Sequence, residues 1–146
     1  MAASKGFSDI CQLLLDHGAS VNAISVSGIS ALMLAAEAKS ISTVRLLLNR
    51  GSSIEKRDKN GNSVLHYALP CSNRLLHLLL NNGADVNVMN TSRWTPLMIA
   101  GSASNCGNAL LLADAGAFFY RTGNSIWSYF TIQVKRHLLS HGYSYS

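Results

Sequence analysis

The chain has 146 residues, 48% hydrophobic and 13% charged, a balance that supports a buried core and excludes an intrinsically disordered segment. The formal charge is +5, and no run approaches the roughly 18 uninterrupted apolar residues of a membrane-spanning helix. Met1 to Gly6 lacks the apolar segment of a secretion signal. Cys11, Cys71 and Cys106 are odd in number and too widely spaced for a disulfide framework or paired zinc ligands, so they read as free thiols of a reducing compartment. A soluble, intracellular protein of the cytoplasm or nucleus is expected, and the sequon Asn90-Thr91-Ser92 then carries no glycan.

A motif returns along the chain: Leu14-Leu15-Asp16-His17-Gly18-Ala19, Leu47-Leu48-Asn49-Arg50-Gly51-Ser52, Leu79-Leu80-Asn81-Asn82-Gly83-Ala84 and Leu112-Ala113-Asp114-Ala115-Gly116-Ala117. Its glycines are spaced by 33, 32 and 33 residues, a period that marks a stacked-repeat architecture. The N-terminal copy starts mid-unit, with Ala2-Ala3 in register with Ala35-Ala36. Phe7, Ile10, Leu13 and Leu14 should therefore lack part of their cover, and the expectation is a chain whose Met1 was internal to a longer array.

The unit at 58–84 is the most complete. Asp58 to Gly61 is turn chemistry, Ser63 stands where an N-cap opens a helix, and Leu65 and Ala68 share one face. Pro70 and Asn73 interrupt the pattern; Leu75, Leu76, Leu78 and Leu79 then recur at helical spacing until Gly83 ends the helix. Residues 84–90 are predicted to return extended. Such helices, two to three turns long, are too short to persist alone and must be covered by neighbouring copies. Two departures stand out. The third unit is one residue short between its helices, and the fourth carries Gly101, Ser102, Ser104, Asn105 and Gly107 across that turn, a poor helix sequence expected to be soft.

These residues carry a resemblance. Ser30-Ala31-Leu32-Met33, Ser63-Val64-Leu65-His66 and Thr95-Pro96-Leu97-Met98 resemble the Thr-Pro-Leu-His motif of ankyrin repeats, followed by the small residues Ala35, Ala68 and Ala100. Ser20-Val21-Asn22 and Asp85-Val86-Asn87 complete the match over about residues 1–117. The resemblance implies an all-α fold, an α-solenoid of stacked helix-turn-helix repeats with β-hairpin-like turn tips. A single domain is expected over residues 1–146: a partial repeat 1–24, repeats 25–57, 58–89 and 90–122, and a degenerate capping repeat 123–146. In that cap, Gly123 to Phe130 echoes Gly61 to Ala68, and Trp127, Tyr129 and Phe130 would plug the last apolar face. The resemblance also implies that His66 bonds between adjacent repeats, and that the joints with Met33 and Met98 are weaker. Asn22 and Asn87 fall at a position sometimes hydroxylated in the family; turn hydrogen bonding is the role read for them.

Chemistry finds little footing. His137 and His141 are four apart but lack a third ligand, and His141 matches His17 at a helix end, so no metal and no cofactor is expected. Cys71 has His66 and His77 near in sequence, without the surroundings that activate a thiol. No enzyme is expected. The resemblance places partner contacts at the tips Val26, Ser27 and Ile29; Lys59, Asn60 and Asn62; Thr91, Ser92 and Trp94. On the adjoining helices it points to Glu37 with Ala38, Pro70 with Cys71, and Ser102 with Ala103. Trp94 has two readings: an outward anchor for a partner, or a lid over Met98 and the next unit.

The function read from all this is a non-catalytic protein-protein interaction scaffold for another protein, with no small-molecule substrate and no membrane, as a monomer or part of a longer chain. Two alternatives are a basic nucleic-acid-binding surface, and a purely structural segment of a longer repeat protein. Residues 117–146 carry Arg121, Lys135 and Arg136 and no acid, against nine bases and seven acids before them. Lys56, Arg57 and Lys59 form a small basic tip around Asp58. Phosphate binding needs several converging cations, and these are scattered.

Overall fold

The structure is a computed structural model that describes residues 2–103 and 105–118, together with residues 136, 139, 140 and 142. Among the described residues seven named helices follow in order: α1 (Ala2–Asp16), α2 (Ala31–Glu37), α3 (Ile41–Asn49), α4 (Val64–Ala68), α5 (Asn73–Asn81), α6 (Pro96–Ser102) and α7 (Cys106–Asp114). Four of them start on a side-chain cap that the sequence supplies. Ser30 Oγ accepts the Met33 N–H at 3.2 Å, Thr95 Oγ1 that of Met98 at 3.3 Å, Ser72 Oγ that of Leu75 at 3.3 Å, and Asn105 Oδ1 that of Asn108 at 3.1 Å. Each long helix ends at a glycine in the left-handed region: Gly18, Gly51, Gly83 and Gly116 all have φ between +84° and +91°. Gly142 adopts φ +87°, the same conformation one motif further on.

The helices stack in two layers. The first helices α2, α4 and α6 form one row, and α1, α3, α5 and α7 form the other, each first helix pairing with the second helix of its own repeat. The core runs between the rows through Leu32, Val44, Leu47, Val64, Leu65, Leu75, Leu76, Leu79, Leu97 and Leu112, all at most 5% exposed. Burying such a side chain contributes about 1.5–3 kcal/mol, which offsets the cost of ordering helices of five to nine residues. Ala36, Ala68 and Ala100 are fully buried, as small residues must be where helices approach closely.

Three expectations change in detail. The returns are not continuously extended: each carries a turn, at 21–22, 54–55 and 86–87, and Asp85 Oδ1 accepts the Asn87 N–H at 2.8 Å to form the last one. At the N-terminus the inter-helix turn is absent, and α1 runs as one helix of 15 residues. Phe7, Ile10, Leu13 and Leu14 on it are 55–68% exposed, as the register anticipates. In the fourth unit Gly101 lies inside α6, buried, and Gly107 has a packing reason. A Cβ there would stand 3.3 Å from Asn73 Oδ1, so glycine lets α7 close onto the start of α5. In the third unit the link between the helices is not shortened; α4 itself stops after five residues, where Leu69, preceding Pro70, turns extended, leaving residues 69–72 as the link to α5. Most of the proposed cap, including Trp127, Tyr129 and Phe130, lies outside the described residues, as do His137 and His141.

Candidate protein-interaction face

The tips are built by one residue per repeat, at positions 25, 58 and 90. Ser25 Oγ accepts the N–H groups of Ser27 and Ile29 at 3.2 and 3.1 Å. Asp58 Oδ1 accepts those of Asn60 and Asn62 at 2.9 and 2.8 Å, and Asn90 Oδ1 accepts that of Trp94 at 2.9 Å. The main chain closes each tip between the same ends: Ser25 N to Ile29 O, Asp58 N to Asn62 O, and Asn90 N to Trp94 O, at 2.9–3.0 Å. Successive tips then bond to one another. Lys59 N donates to Ser27 O at 3.0 Å, and Thr91 N donates to Asn60 O at 2.9 Å. A continuous hydrogen-bonded ladder results, and its polar main-chain groups are satisfied along one edge.

Glycine enables this approach. Gly28 and Gly61 have φ +81° and +73°, and a Cβ on them would lie 3.1 Å from Asp58 Cα and 3.2 Å from Thr91 N of the next tip. The same register position in the third tip is Arg93, held at φ +64°.

Asp58 is 9% exposed, and its second oxygen takes the Tyr67 hydroxyl at 2.7 Å and the Asn62 amide at 3.0 Å. Burial pushes its carboxyl up, but these bonds and the two N–H groups outweigh burial and hold it below the usual 3.8. Tyr67 is pushed up to about 12, by burial first and by the carboxylate second. Thus the acid in the middle tip is spent inside the fold. His66 accepts the Ser63 N–H on Nδ1 at 3.1 Å, which leaves Nε2–H to donate to the Trp94 carbonyl at 2.9 Å, a bond to the next repeat. Met33, at the same position, offers only its sulfur to Ser30 N at 3.4 Å and makes no bond across its joint. There Lys39 Nζ bonds the Ala68 carbonyl instead, closing the end of α4.

The structure brings Val26 and Ser27, Lys59 and Asn60, and Thr91 and Ser92 together on consecutive rungs, all exposed; Val26 is 89% exposed. Ile29 and Asn62 are half-buried, and the Asn62 side chain is committed: Nδ2 to Asp58, and Oδ1 accepting from Asn90 Nδ2 at 2.8 Å. Trp94 is 37% exposed, between the two readings of its side chain, and its main chain serves both Asn90 and His66. Glu37 and Ser102 are exposed at the far ends of α2 and α6, away from the rungs, and Ser102 Oγ donates to the Ile99 carbonyl at 2.9 Å. Burial pushes the Cys71 thiol up, more than Lys39 lowers it, the opposite of an activated nucleophile.

Sequence reasoning passed over the shared role of Ser25, Asp58 and Asn90, and Arg93 in a glycine position. Both were available as register signals. It also gave Asn22 and Asn87 too local a part. Asn22 Nδ2 donates to Gly51 O at 3.1 Å while its Oδ1 accepts Ser53 N–H at 2.8 Å; Asn87 does the same to Gly116 O at 3.1 Å and Phe118 N–H at 2.7 Å. These amides staple one repeat to the next. Glu55 holds the position between them.

The family described as ankyrin repeats (3 copies) matches residues 1–90 and 53–123, and the chain belongs to it. The chain is 36% identical over 108 residues to the B-cell lymphoma 3 protein homolog of Mus musculus, covering 70% of this chain and 23% of that protein. It is 34% identical over 123 residues to the nuclear factor NF-kappa-B p105 subunit of Gallus gallus, covering 80% and 12%. A transient receptor potential cation channel subfamily A member 1 homolog of Caenorhabditis elegans is 33% identical over 119 residues, covering 80% and 10%. The chain spans less than a quarter of the length of these relatives. Ankyrin repeats are in general protein-binding modules and typically non-catalytic. Among the described residues no helix is long and apolar enough to cross a membrane, and no three His, Cys, Asp or Glu side chains converge as metal ligands do.

Proposed function

We propose that this chain is a non-catalytic scaffold that holds one protein partner along its turn tips and the adjoining ends of α2, α4 and α6. The ladder of tips carries the reading. It is rigid because its main chain bonds from rung to rung, and it offers Val26, Ser27, Lys59, Asn60, Thr91, Ser92 and part of Trp94 to solvent in one row. A preorganised edge loses little freedom on binding, which favours association. The free thiols and the nuclear factor among the relatives support a place of action inside the cell.

Partners captured from nuclease-treated lysate on immobilised protein provide the test, with a photo-reactive residue at Val26, at Thr91, or at exposed His77 on α5 as control. Cross-links are expected from the tips and not from His77. Trp94→Ala is expected to weaken retention at least tenfold, since truncating an aromatic anchor costs about 2 kcal/mol, with little change in melting temperature. Unchanged retention with a lowered melting temperature would assign Trp94 to packing. Cross-links from His77 alone would remove the tips from the reading.

A further inference from the structure

The row of tips changes character along its length. At the first tip the exposed side chains are apolar or small: Ile24, 56% exposed, Val26 and Ser27, with no charge between residues 17 and 36. At the second, Lys59 stands exposed where Val26 stands in the first. Its neighbour Asp58 is turned inward and makes no ion pair with Lys59, because four donors hold its carboxylate: the N–H groups of Asn60 and Asn62, the Asn62 amide and the Tyr67 hydroxyl. At the third tip the charge is Arg93, exposed and unopposed by any acid between residues 86 and 113.

Arg93 supplies the independent observation. The left-handed region is strained for a residue that bears a Cβ, and the two preceding tips use glycine there. An arginine kept at φ +64° is a local strain, of the kind that collects at binding surfaces.

We propose that the tips bind an extended acidic segment of the partner, with one apolar residue at the Val26 end and two carboxylates facing Lys59 and Arg93. This rests on the interaction reading above and names the chemistry of its occupant. The spacing follows from the ladder. Within a tip, Ser25 N–Ile29 O joins two arms; between tips, Ser27 O–Lys59 N joins the next. Each repeat therefore contributes two backbone widths of about 4.8 Å, or about 10 Å in all. An extended chain rises about 3.3 Å per residue, so about three residues span one repeat. Val26 and Lys59 hold the same register position, so the matching segment has an apolar residue and an acid about three positions from it; Arg93 lies two residues further along its tip, so the second acid stands about three to five positions beyond the first.

A displayed library of random twelve-residue peptides, selected on the whole folded chain, tests this. Enrichment of sequences with two acids about three to five apart, and an apolar residue about three from one of them, in either chain direction, is expected. Lys59→Glu and Arg93→Glu should each weaken a selected peptide at least tenfold, and exchanging its facing acid for lysine should restore binding to the matching variant. Arg93→Gly guards against a folding artefact: it should keep or raise the melting temperature while still losing the peptide. Selection of sequences without acids, no selection at all, or preference for a single-stranded oligonucleotide competitor overturns the proposal. Val26 cross-links to a captured protein, with retention indifferent to Lys59→Glu and Arg93→Glu, would overturn the acidic occupant and leave the scaffold reading intact.

Discussion

Asn108 is fully buried and holds both main-chain groups of Cys71: its Oδ1 accepts the N–H and its Nδ2 donates to the carbonyl, each at 3.1 Å. It thereby ties α7 to the turn between α4 and α5, with a further bond to Asn73 at 3.3 Å. Asn108→Ala strips partners from those buried groups, and a loss of about 2–4 kcal/mol is expected in urea denaturation. His66 gives the fold a pH dependence of known sign. Burial lowers its pKa below the usual 6.5, more than the Trp94 carbonyl raises it. The folded state therefore binds fewer protons than the unfolded one. Stability is complete above pH 6.5 and declines as pH falls through the folded value. Comparing urea midpoints from pH 7.5 to 5, the wild type should fall more steeply than His66→Met, which copies position 33. Asp58, also lowered, acts in a separate window: its contribution is held above pH 3.8 and lost below it.

Between elements, the joints are unequal. Asn22 and Asn87 pair with the main chain of the following repeat at the outer joints, and Glu55 stands at the middle one. A carboxylate has no N–H to give Gly83 O, so the staple cannot form there. A cavity of about 270 Å³ opens at this place, lined by Ile54, Glu55, Val64, Ala84, Asp85 and Val88. Glu55→Asn should restore the pair, to Gly83 O and Asp85 N–H, and raise stability by about 1 kcal/mol, read as a higher denaturation midpoint. No change would mean that the middle joint is too open for an amide to bridge.

For the whole molecule, stability in a stack is a sum of units and the interfaces between them. Helix α5 lies between α3 and α7, and Leu75, Leu76 and Leu79 are fully buried. By contrast, α1 leaves four large apolar side chains more than half exposed. Amide exchange should be slowest in α5 and fastest in α1, by orders of magnitude, because local opening exposes least new surface at α1. Uniform protection along the array would show one all-or-none unit instead.

The 33-residue period, the leucine spacing and the glycines were enough to place the helices, their ends and the stacked class from sequence, because helix faces, caps and left-handed turns are local physics. Register also announced the exposed face of α1. The bond of His66 to the next repeat was expected from the resemblance, though not its acceptor, the Trp94 carbonyl; what lay beyond sequence were the other bonds between repeats, which join residues 31 to 37 positions apart: Asn22 to Ser53 and Asn108 to Cys71. An asparagine in a turn reads the same whether its amide serves its own loop or the next repeat. An aspartate in a basic tip reads as a surface charge until four donors are seen around it. Local patterns decide which way each segment folds; only packing decides which polar groups are consumed inside and which remain for a partner.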